Sequence, residues 1–124
     1  MDETSPLRRD SFKTVIPISM PVSIPPPTRA FSEVEWLTLE SGHRARDMDD
    51  KWFSFVEHDR LFLHRSWTGH GLFECQFESH EGHWTITGAV VEGDLTVYRR
   101  DGHSDDYESQ LLERIILRVL LGVA

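Results

Sequence analysis

A chain of 124 residues, 39% of them hydrophobic, is long enough for one core and too short for two, so a single domain is expected. The formal charge of −8 disfavours a nucleic-acid partner, and the lone cysteine, Cys75, excludes an intrachain disulfide and with it a secreted disulfide scaffold. No apolar segment of signal-peptide length opens the chain, and its most apolar stretch, 111–124, is interrupted by Glu113, Arg114 and Arg118, so a cytoplasmic location and no membrane partner are expected.

Residues 1–30 read as a proline-rich N-terminal arm. Between Pro17 and Pro27 each proline removes a backbone donor and pushes the residue before it toward extended backbone, which rules out regular helix. The apolar residues Val15, Ile16, Ile18, Met20, Val22 and Ile24 leave two readings open, an extended arm lying along the domain or a sheet edge, and a disordered one. Either way the arm is expected to add little to stability.

The rest, 31–124, reads as one α+β domain. Alternating residues predict strands at 34–40, 52–57, 60–67, 72–78, 83–91 and 95–99, an antiparallel meander of five or six strands. His58-Asp59 and Gly82 fall at hairpin turns. In 72–78, Phe73, Cys75 and Phe77 face one way and Glu74, Gln76 and Glu78 the other, so one face is dry. The period then changes: Asp105 with Glu108 suits a capping box, and Leu111, Leu112, Ile115, Ile116, Val119 and Leu120 draw an apolar stripe. This C-terminal amphipathic helix is expected to cover the dry face.

The residues able to carry chemistry concentrate at 64–70. Arg65 and Trp67 share one strand face and His64 and Ser66 the other; guanidinium suits phosphate and indole suits an aromatic plane. Pairing of 52–57 with 60–67 would bring Arg46 or Lys51 to the same end. The expected ligand-binding set is therefore Arg65, Trp67, His64, Ser66, Arg46 and Lys51, for a small anionic ligand. The competing reading buries Arg65 in an ion pair with Asp49 or Asp50 beside a core tryptophan. A protein-interaction module using the proline-rich arm or a sheet edge, and a small enzyme exchanging protons through His64, are the alternative functions. His80-Glu81-Gly82-His83 lacks the spacing of a helical zinc motif, so no metal is expected; no glycine-rich phosphate loop is present, and no cofactor is expected. Cys75, flanked by Phe73 and Phe77 on the apolar face, reads as a buried hydrophobe.

Met48-Asp49-Asp50-Lys51-Trp52-Phe53, followed by His64-Arg65-Ser66-Trp67-Thr68-Gly69, resembles a small bacterial domain found beside or fused to ADP-ribosylglycohydrolase-type proteins, over roughly residues 31–120. The resemblance implies an ADP-ribose-like or nucleotide ligand. No segment here suits the hydrolase itself, whose metal-binding acidic motifs have no counterpart in the chain.

Overall fold

The computed structural model describes residues 5–123 apart from residue 101. Its centre is an antiparallel sheet of six strands: β1 (Pro21–Ile24), β2 (Phe31–Ser32), β3 (Trp52–Glu57), β4 (Arg60–Arg65), β5 (Gly71–His80) and β6 (His83–Glu92). β3 to β6 form the meander, with β1 and β2 both added to the outer side of β6. The two hairpins close on residues with left-handed backbone, His58 and Asp59 (φ 52° and 60°) and Glu81 (φ 51°) before Gly82. Histidine and aspartate tolerate that region better than branched residues, which lets His-Asp make the first turn.

Two expected strands are not strands. Residues 33–40 form a helix, α1 (Glu33–Glu40), because Ser32 accepts from the Glu35 N–H while the Glu35 carboxylate accepts from the Ser32 N–H, a reciprocal cap worth more than a four-residue alternation. Its buried residues, Trp36 and Leu39, are three apart, as a helix face requires. Residues 95–99 turn instead of extending, since Asp94 takes the N–H groups of Thr96 on its side chain and of Val97 and Tyr98 on its carbonyl.

The dry face is as expected. Leu61, Leu63, Phe73, Cys75, Phe77, Ala89 and Val91 are buried with Leu112, Ile115 and Ile116 of the C-terminal helix and with Trp36 and Leu39 of α1. That helix, α2 (Asp105–Ile115), continues into a wider π-helical turn, Ile116–Leu120. Its cap is Ser104, which accepts from the Tyr107 N–H, and not Asp105; Glu108 is drawn inward instead of serving the cap.

Residues 1–4 of the arm lie outside the described residues; from residue 5 it runs along the domain through a 3-10 turn, Arg9–Ser11, and enters the sheet as β1. Prolines leave its backbone free to pair where donors remain, and Val22 to Ile24 lie in register with Val91 to Ala89. Farther upstream Ile16 bridges His70, Phe12 stacks on Phe53 at 4.2 Å, and Arg9 pairs with Glu57 at 2.9 Å while lying over Phe55 and Phe62. Two glycines admit its backbone. A Cβ at Gly69 (φ +83°) would lie 2.5 Å from the Thr14 carbonyl oxygen, and one at Gly93 would lie 2.8 Å from that of Met20. The expectation that the arm adds little to stability is therefore revised.

Candidate functional site

The antiparallel register sets Trp52 opposite Arg65, and the Ser66 N–H donates to the Lys51 carbonyl at 2.8 Å. Lys51 and Arg65 thus meet at one end of the β3–β4 hairpin. Here a cleft of about 660 Å³ is bounded by Lys51 and Arg65, by Met48 and Asp49 of the preceding loop, by Trp67 and His70 of the following turn, and by Val97 across the gap. Trp67 is 71% exposed. The Arg65 guanidinium lies 5.3 Å from the centre of the Trp52 ring, which holds the cation over an aromatic face. Among the described residues neither Arg65 nor Lys51 forms an ion pair, so the expected sealing of Arg65 by Asp49 or Asp50 does not occur.

Asp50 is engaged elsewhere. It is 8% exposed, accepts from Arg46 through both backbone and side chain at 3.1 Å, and meets His43 Nε2 at 2.8 Å. Burial raises its pKa, but these hydrogen bonds together outweigh that and hold the carboxyl below the usual range. Arg46, held by Asp50, does not line this cleft; it meets Lys51, Asp49 and Trp52 around a smaller neighbouring one of about 330 Å³. Arg44 also leaves, donating to the Ser11 carbonyl and lying over Phe12 of the arm.

His64 and Ser66 are likewise absent from the cleft. His64 is 1% exposed on the opposite sheet face, between Phe53 and Phe55 and beneath the arm. Its Nδ1 donates to the Gly69 carbonyl at 2.8 Å, and burial pushes its pKa below the usual histidine range despite that bond. A neutral ring so enclosed is a poor proton carrier for an external substrate. Ser66 donates to the Asp50 carbonyl at 2.9 Å, tying the turn to the loop. Of the six expected ligand-binding residues, the structure brings Lys51, Arg65 and Trp67 together in this cleft, places Arg46 with Lys51 in the neighbouring one, and leaves His64 and Ser66 outside both.

Sequence reasoning missed a second group beside this cleft. Glu108 is fully buried, accepting from the Tyr98 hydroxyl at 2.9 Å and from His103 Nδ1 at 2.7 Å, with Arg100 Nε 3.7 Å away. Burial and the bond to Glu108 push the Tyr98 phenol upward, so it keeps its proton and donates. The histidine five residues from a glutamate carried no recognisable spacing, and Tyr98 lay in a segment read as strand.

Among the described residues no three His, Cys, Asp or Glu side chains gather as a metal site, and no helix is long and apolar enough to cross a membrane. Comparison of the chain with protein-family models, with curated proteins and with solved structures finds no match.

Proposed function

We propose that the chain is a binding domain for a small anionic ligand carrying an aromatic ring, of the nucleotide class, held in the cleft of Lys51, Arg65 and Trp67. The observation that carries this reading is the pair of cations, without an ion-pair partner among the described residues, beside an exposed indole in a chain with a net charge of −8. A cleft of about 660 Å³ suits a ligand of that size, the indole offers a stacking plane, and the guanidinium offers two parallel donors to a phosphate. An ADP-ribose-like ligand within this class rests on the resemblance of the two strings alone.

Calorimetry with AMP, ADP-ribose and inorganic phosphate tests it. Arg65→Ala should weaken binding by about 1.5–3 kcal/mol, the worth of a charged hydrogen bond, with the thermal midpoint kept within a few degrees. Absence of binding by the wild-type chain at millimolar ligand would reject the reading.

A protein partner is the second reading, favoured by the exposed Met48 and Trp67 at the cleft and Leu95 nearby in the chain. The arm is engaged with its own sheet, which argues against it as the docking element.

A further inference from the structure

Lys51 and Arg65 line a second cleft as well, of about 380 Å³, whose other walls include Trp52, Tyr98, Arg99 and His103. The two clefts share their cations, and the second adds Arg99 and His103 where the first carries Asp49, Trp67 and His70.

We infer that the His103 cleft is the second lobe of the proposed site and takes a further phosphate group of the ligand, so that a nucleoside diphosphate is preferred over a monophosphate. The inference rests on the reading of the first cleft. Glu108 is fully buried, accepts from the Tyr98 hydroxyl on one oxygen and meets His103 Nδ1 at 2.7 Å on the other. The ring is thereby oriented, and among the described residues Nε2 has no hydrogen-bond partner. The ring joins Lys51, Arg65 and Arg99 around one opening. The groups that face His103 are Glu108, Tyr98 and Tyr107, with Arg100 held by Glu108 and Asp105.

The experiment compares AMP, ADP and inorganic pyrophosphate by calorimetry on the wild-type chain, on His103→Gln and on Arg99→Ala, an exposed position outside the core. The wild type should bind ADP roughly tenfold more tightly than AMP. His103→Gln should reduce that advantage about threefold or more while leaving AMP affinity unchanged. Arg99→Ala should reduce the advantage about threefold or more, which keeps the test sound if His103→Gln unfolds the chain. Equal affinity for AMP and ADP, or an advantage untouched by both substitutions, overturns the second lobe and leaves the first reading standing. Pyrophosphate bound through His103 with no nucleotide bound would support the anion lobe and reject the aromatic one. No binding of any of the three rejects both.

Discussion

Glu92 ties the arm to the sheet, and replacing it with glutamine measures that tie. The carboxylate is 1% exposed and accepts from the N–H groups of Ser19 at 2.8 Å, Met20 at 3.0 Å and Asp94 at 3.0 Å. Glutamine preserves the volume but places an amide nitrogen where one oxygen stood. With that nitrogen in the Ser19 position, one charged bond becomes a donor facing a donor, and the other two fall from charged to neutral strength. A charged bond contributes about 1.5–3 kcal/mol and a neutral one about 0.5–1.5, so Glu92→Gln should cost about 2–4 kcal/mol, with local release of the arm limiting the loss. For a chain of this size that lowers the thermal midpoint by roughly 8–16 °C. Burial raises the Glu92 pKa, but the hydrogen bonds from Ser19, Asp94 and Met20 overcome it and hold it below the usual carboxylate range. A carboxyl depressed in the folded state stabilises above its unfolded pKa of about 4.3, and that contribution fades as the pH falls through the lower folded value. Urea denaturation of both proteins from about pH 7 to pH 3 should show a constant gap near neutrality that closes below about pH 4. A gap under about 1 kcal/mol, or one that widens toward acid, would refute the assignment.

Removing the first 24 residues should cost more, since Ile24 leaves the core and Phe53 and Phe55 lose their cover; loss of the cooperative urea transition, or an unfolding free energy lowered by several kcal/mol, is expected, and an unchanged midpoint would return the arm to a passive role. Ile116 is fully buried, so Ile116→Asp places a charge without a partner in the core and should unfold a domain of typical stability, about 5–15 kcal/mol, as circular dichroism would report. Burial pushes the Cys75 thiol well up, so a thiol reagent should label the native chain at the rate of its opening and the urea-unfolded chain at once; rapid native labelling would contradict the sealed core.

Much of the fold could be read from alternation, and the exceptions have local causes. The hairpins of β3 to β6 and the stripe of α2 are dictated by which residues repeat at two and at about three and a half. Val34, Trp36 and Thr38 also alternate, yet Ser32 and Glu35 cap each other, and a cap decides backbone geometry where a short alternation does not. Asp94 similarly gathers the donors that a strand at 95–99 would have offered a neighbour. The meeting of Lys51 with Arg65 followed from strand pairing, and the opposite facing of His64 followed from parity. What parity could not give was the arm above His64, the capture of Arg46 by Asp50, or the reach of His103 to Glu108, all of which depend on tertiary approach.

The glycines beneath the arm have a consequence for the order in which the molecule assembles. Gly69 and Gly93 are bare where Thr14 and Met20 pass, and the arm's other anchors, Glu57 and Glu92, also lie far along the chain. Synthesis delivers the arm first and its seats last. The arm must therefore wait, undocked, until β3 to β6 have paired, and its closure is the long-range step that carries the greatest loop entropy. Refolding should accordingly show the sheet and α2 forming ahead of the stacking of Phe12 on Phe53, with the arm setting the rate of the final phase and little of the rate of the first.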